Sequence, residues 1–217
     1  MNKFKWCFII IIIQIIASLY LGLSLPEDAK IPCHWNIKGE IDGYYGKWTG
    51  VLSFPAINLA ILLLMIALPY ISVRYKNAQE RFDKVIPGLA TIIIFFFACI
   101  HIYMILLAKE ILNPSGNIIF YLIGLMFILL GNLLPKIPSN FFAGIRTPWT
   151  LSSEEVWRKT HRLGGISFVI AGLLMILITA ILGNNSTANI IMFVLFMSLV
   201  LYPVLYSLIL YKKEEKK

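Results

Sequence analysis

Residues Cys7 to Leu25 read CFIIIIIQIIASLYLGLSL, and the reading of the whole chain turns on them. A helix rising about 1.5 Å per residue needs roughly 20 apolar residues to cross a bilayer core of about 30 Å. Lys3 and Lys5 lie just ahead of the run, an arrangement shared with secretory signals. The run is too bulky for that reading. It is rich in Ile, ends in Tyr20, Leu21 and Leu23, and is followed by no small-residue cleavage site. It is expected to stay in the chain as a first membrane span.

The remaining sequence agrees. The chain has 217 residues, of which 59% are hydrophobic and only 14% charged, and its mean hydropathy is +0.81. A soluble domain carries roughly a quarter charged residues, so this much apolar surface has to face lipid. Five further runs are long enough to span. The expected spans are 6–25, 51–73, 86–108, 117–134, 165–182 and 189–211, within a single membrane domain covering 1–217. The fold class is therefore an all-α membrane protein with six transmembrane helices.

Charge orients them. With six spans, the N-terminus, the 74–85 loop, the 135–164 loop and the C-terminal tail share one side, and that side holds 15 of the 19 Lys and Arg residues. Positive loops stay cytoplasmic, so both termini are expected inside a plasma membrane. The net charge of +8 follows from this partition and implies no direct nucleic-acid binding. Three cysteines are an odd number for a disulfide framework.

Two connections are long, the outer loop 26–50 and the inner loop 135–164. In the outer loop, Pro26 and Pro32 stiffen the exit from the first span. Turn signals at 36–39 and at Asp42-Gly43, with Ile37 and Ile41 alternating around them, predict a short hairpin-like extracytoplasmic cap, its tight reversal at Asp42-Gly43. Trp35, Tyr44, Tyr45 and Trp48 fit either an interfacial aromatic belt or a binding face. His34, Glu40 and Asp42 match no usual metal spacing, and no metal, cofactor or catalytic residue is expected.

In the inner loop, Ser152 with Glu155 reads as a capping box, with Leu151 and Val156 as its hydrophobic staple. Glu154–Arg158 and Glu155–Lys159 are spaced for i,i+4 ion pairs. A basic amphipathic helix of about three turns is expected along the inner leaflet, hinged at Gly164-Gly165 before the fifth span. Inside the spans, Gln14, Asn58, His101 and Asn132 need polar partners. They support an alternative function, a small transporter of an amphipathic substrate. A membrane enzyme would have to use His34 with Asp42, or His161 with Glu155.

The segments PCHWNIKGEIDGY (32–44) and GNLLPKIPSNFFAGIRTPWTLSSEEVWRKTHRLGG (131–165) resemble the outer- and inner-loop signatures of the SdpI family. These are bacterial multi-pass immunity proteins against a secreted sporulation-delaying peptide toxin. The resemblance implies protection from a membrane-active toxin. It also implies toxin sensing that sequesters a small DNA-binding repressor at the membrane. On that basis His34, Trp35, Asn36, Gly39, Asp42, Gly43 and Tyr44 are the toxin-facing candidates. Arg146, Trp149, Trp157, Arg158, Lys159, His161 and Arg162 are the cytoplasmic signalling candidates. The partners implied are the lipid bilayer, the toxin and the repressor.

Overall fold

The structure is a computed structural model, and it describes residues 3–36, 38–71, 74, 75, 78–183 and 185–215. Of the positions used above, Ile37, Val73 and the basic residues Lys76, Lys216 and Lys217 lie outside the described residues. In chain order the elements are α1 (Lys5–Leu23), β1 (Lys30–Trp35), β2 (Ile41–Gly46), α2 (Lys47–Ile71), α3 (Gln79–Ala108), α4 (Gly116–Leu133), a 3-10 turn (Leu134–Lys136), α5 (Pro148–Ser152), α6 (Glu154–Leu182) and α7 (Ser186–Glu214). All of these helices except the short α5 are long and apolar enough to cross a membrane, six in number among the described residues. The protein is a multi-pass membrane protein.

The spanning helices form two sets of three. Helices α1, α2 and α3 pack on one another, α4 and α7 pack on α6, and α3 meets α4 between the sets. In α1 the inward stripe is Cys7, Ile11, Gln14, Ser18 and Gly22, while Ile12, Ile13 and Ile16 are more than half exposed. This inverts the pattern of a soluble helix. Lipid tails are as apolar as isoleucine, so helices in a bilayer meet through small and polar residues, and the large apolar ones face outward.

Glycines bring the second set together. A Cβ at Gly131 would stand 2.6 Å from the carbonyl oxygen of Gly165, and one at Gly165 would stand 2.7 Å from that of Gly131. One turn pair away, a Cβ at Gly124 would stand 2.8 Å from the carbonyl oxygen of Gly172. Helices α4 and α6 thus touch backbone to backbone at two levels.

This geometry corrects the expected hinge and the expected separate interfacial helix. Helix α6 is continuous from Glu154 to Leu182, and Gly164 and Gly165 are buried contact points inside it. Gly164 accommodates Ile145 and Leu134, and Gly165 accommodates Gly131 and Pro135. The amphipathic segment is the first part of a spanning helix. Its start also differs from the expected one. Ser153, not Ser152, is the N-cap, and its hydroxyl accepts the N–H of Val156. Of the two expected ion pairs, Glu155–Lys159 forms and Glu154–Arg158 does not.

Helix α3 begins at Gln79, two turns before the expected start of its span. Its polar first turns are held at Asp83, which receives Lys3 at 2.6 Å and the Tyr75 hydroxyl at 2.7 Å. Helix α2 begins at Lys47, directly after β2, because the hairpin is clamped onto it. Ile31 is fully buried against Gly50, where a Cβ would stand 2.6 Å from the Ile31 side chain.

Candidate functional site

Candidate residues gather at the two ends of the bundle. At one end, β1 and β2 form the two-stranded antiparallel hairpin that the turn signals predict. The reversal lies at the first of the two expected turns, Asn36–Glu40, and the second, Asp42-Gly43, falls within β2. Asn36 builds it. Its Oδ1 accepts the N–H groups of Lys38 at 2.9 Å and Glu40 at 3.1 Å, and its Nδ2 donates to Glu40 at 2.9 Å. Gly39 supplies the left-handed residue, φ +79°, and its backbone lies against Gly116 at the start of α4. Gly43 sits inside β2 opposite His34, where a Cβ would come within 2.9 Å of the His34 Cβ. It is needed for close approach of the strands.

The hairpin has two faces. Ile31, Cys33 and Trp35 pack toward Met104, Ile105 and Val51, and Trp35 stacks on Tyr103 at 6.1 Å. Trp35 and Asn36 therefore hold the hairpin in place. His34, Asp42 and Tyr44 are exposed on the other face. His34 Nδ1 and Asp42 Oδ1 are 2.5 Å apart, and Tyr44 is 54% exposed. Below the hairpin, Lys47 is buried and donates to the Leu25 carbonyl at 2.7 Å and to Glu27 at 2.9 Å. The ammonium group of Lys47 holds the Glu27 carboxyl below its usual range.

At the other end, the inner loop folds on its own side chains. Asn140, 1% exposed, accepts the N–H groups of Phe142 and Ala143 through Oδ1 and donates to the Pro138 and Ala143 carbonyls through Nδ2. Gly144 has φ +110° and lies tight against His161. His161 Nε2 accepts the N–H of Ile145 at 3.0 Å, and Nδ1 donates to the Trp157 carbonyl at 2.8 Å. Trp157 stacks on His161 at 3.9 Å and donates its indole N–H to Ile137.

Thr147 and Thr150 form a reciprocal capping box around Pro148, the first residue of α5. Thr147 also meets Ser207 of α7 at 3.0 Å. This box caps α5, a helix that the sequence pattern did not separate from α6, whose own cap is Ser153. Its signal was present in the sequence as T-P-x-T, because Pro suits the first helical position and Thr suits the cap.

The inner-loop candidates therefore divide. Trp157 and His161 are fully enclosed and organise the loop. Trp149 is half-buried. Arg146, Arg158, Lys159 and Arg162 are exposed, and Arg146 donates to the Phe141 carbonyl at 2.6 Å. Both ring nitrogens of His161 are taken by backbone groups, so His161 and Glu155 form no acid–base pair.

Between the ends, Gln14, Asn58 and His101 of the first helix set bond to one another, leaving the Asn58 side-chain oxygen without a partner among the described residues. Gln14 Nε2 donates to His101 Nδ1 at 3.1 Å, His101 Nε2 donates to the Gly50 carbonyl at 2.9 Å, and Asn58 donates to Gln14 at 2.8 Å. Phe54 covers the His101 ring. Asn132 instead bonds within its own helix, to the Ile128 carbonyl.

Residues 136–207 match the SdpI/YfhL protein family, and residues 9–59 match a domain of unknown function (DUF1648). The first match covers the inner loop with α6 and most of α7. The second covers most of α1, the hairpin and the first half of α2. The chain is 26% identical over 210 residues to the immunity protein SdpI of Bacillus subtilis (strain 168), with 94% of each chain covered. No solved structure matches the chain.

Proposed function

We propose that this chain, a relative of SdpI that carries the SdpI/YfhL region at 136–207, is a plasma-membrane immunity protein protecting its cell from a secreted membrane-active peptide toxin. The similarity to an immunity protein over nearly the full length of both chains carries this reading. The charge partition supports an orientation with both termini in the cytoplasm and the hairpin outside. In that orientation the hairpin is an extracytoplasmic cap. Its exposed His34, Asp42 and Tyr44 are the surface we assign to the toxin, and Trp35, Asn36, Gly39 and Gly43 shape it.

On the cytoplasmic side, Arg158, Lys159 and Arg162 form an exposed basic row on the first turns of α6. We assign this row to an acidic surface of a soluble partner, a small DNA-binding repressor in the family's terms, with Arg146 and Trp149 beside it. His161 and Trp157 act there only by holding the loop in shape.

The deciding experiment is expression in a toxin-sensitive cell, with membrane abundance measured alongside survival. Protection is expected. Unchanged killing at full membrane abundance would overturn the reading. Repressor docking has its own readout. Changing Arg158, Lys159 and Arg162 to Glu should release a membrane-recruited repressor while protection persists.

A further inference from the structure

A cleft of about 760 Å³ opens at the inner-loop end of the bundle. Its walls are Arg74, Ala78 and Arg81 at and before the start of α3, the chain just after α4, and the residues around the start of α6. Three arginines line it, Arg74, Arg81 and Arg158. Arg74 is fixed. It donates to Ser139 at 2.5 Å and to the Leu151 carbonyl at 3.1 Å, and its guanidinium lies over the Phe141 ring at 4.6 Å. Arg81 and Arg158 are exposed, and their guanidinium groups make no ion pair or hydrogen bond among the described residues.

The carboxylates in the cleft do not cancel this charge. Glu155 is paired with Lys159. Glu154, one turn before Arg158, does not bridge to it. Among the described residues, two free guanidinium groups and one tethered one thus face a single unpaired carboxylate. The N-terminus of the 29-residue helix α6 opens at the same place and adds its positive dipole end. Pro135, exposed, and Leu151, half-buried, supply an apolar wall beside the cations.

We propose that this cleft binds a phosphate group, with Arg81 and Arg158 as its direct ligands and Arg74 as the fixed side of the site. Planar guanidinium forks match phosphate oxygens in pairs. Basic pockets between spanning helices on the cytoplasmic side suit anionic lipid headgroups. The apolar wall beside the cations favours a phospholipid headgroup over soluble phosphate. Arg158 then serves two surfaces, the cleft and the basic row, whereas Arg81 and Arg74 belong to the cleft alone.

The test uses the full chain, purified and delipidated in detergent. Native mass spectrometry with phosphatidylglycerol or phosphatidylcholine reads the lipid source, and a thermal-shift titration with inorganic phosphate reads the soluble one. Selective retention of phosphatidylglycerol is expected, falling about tenfold in an Arg81→Gln, Arg158→Gln double variant. Lys212→Gln with Lys213→Gln, a basic pair outside the cleft, should retain it. An Arg81→Lys, Arg158→Lys variant should recover part of it. A phosphate-dependent thermal shift that the double variant loses would assign the site to soluble phosphate instead. Equal retention of both lipids with no phosphate shift, or responses unchanged in the double variant, would overturn the site. A melting temperature equal to the parent's without ligand establishes that the double variant is folded.

Discussion

His161 and Ile145 are joined across the inner loop, the ring Nε2 accepting the buried backbone N–H of Ile145 at 3.0 Å. Because Nε2 accepts and Nδ1 donates to Trp157, the hydrogen bonds select one neutral tautomer. His101 is held in the opposite one, with Nδ1 accepting from Gln14 and Nε2 donating to Gly50. The two enclosed histidines are thus structural crosslinks of opposite polarity, one closing the inner loop and one joining α1 to α3.

Replacing His161 with Phe keeps the stacking on Trp157 and removes the acceptor. The Ile145 N–H is then buried without a partner, a loss of about 1–3 kcal/mol. The expected result is a lower melting temperature in detergent, read by loss of the monodisperse elution peak after heating. A variant as stable as the parent would show that the crosslink contributes nothing.

His101→Leu tests the network between the first three helices. It leaves Gln14 Nε2 and the Gly50 carbonyl without their partner, at about 1 kcal/mol or more for each bond in a membrane interior. Lower stability is expected together with retained protection in the toxin assay. Loss of protection at unchanged stability would instead favour a transport role for this residue.

The glycine contacts give a sharper steric prediction. Gly165→Leu places a branched side chain where a Cβ alone would already stand 2.7 Å from the Gly131 carbonyl. Destabilisation should reach at least the upper part of the usual overpacking range of about 1–3 kcal/mol. Ile166→Leu, one residue away on the exposed side, should melt like the parent. Equal effects of the two changes would rule out close backbone packing there.

Lys47 and Glu27 carry a pH dependence. The folded Glu27 carboxyl titrates below its unfolded value, because Lys47 favours its charged form. Its contribution is complete above the unfolded carboxylate value of about 4.3 and is lost as pH falls through the lower folded value. Glu27→Gln should therefore melt below the parent at neutral pH, and the difference should vanish in acid. The shift should be small, because Glu27 is 78% exposed and exposed pairs contribute little. A difference that grew in acid would reverse the sign of the linkage.

On the hairpin face assigned to the toxin, Tyr44→Ala should lower toxin tolerance about tenfold, the loss of one exposed aromatic contact, at an unchanged melting temperature. Trp35→Ala should lower both, since Trp35 stacks on Tyr103. Full tolerance in the Tyr44 variant would remove that side chain from the toxin surface.

The sequence by itself determined the number and order of the spans, the hairpin after the first one, and the side on which positive charge collects. These are properties of short windows. An apolar run of about 20 residues, a Pro- and Gly-marked turn and a count of Lys and Arg can each be read without knowing what lies opposite. Tertiary structure alone decided what Gly164 and Gly165 are for, because a glycine at a hinge and a glycine against a neighbouring backbone look alike in one dimension. It decided that Trp157 and His161 point inward, and that Gln14, Asn58 and His101 find one another across three helices. It also decided that Arg158 stands in a cleft with Arg81 rather than on Glu154. The physical reason is common to all of these. In lipid, an apolar residue gains little by turning inward, so hydrophobic periodicity does not mark the contact face. That face is set by small and polar groups whose partners lie tens of residues away.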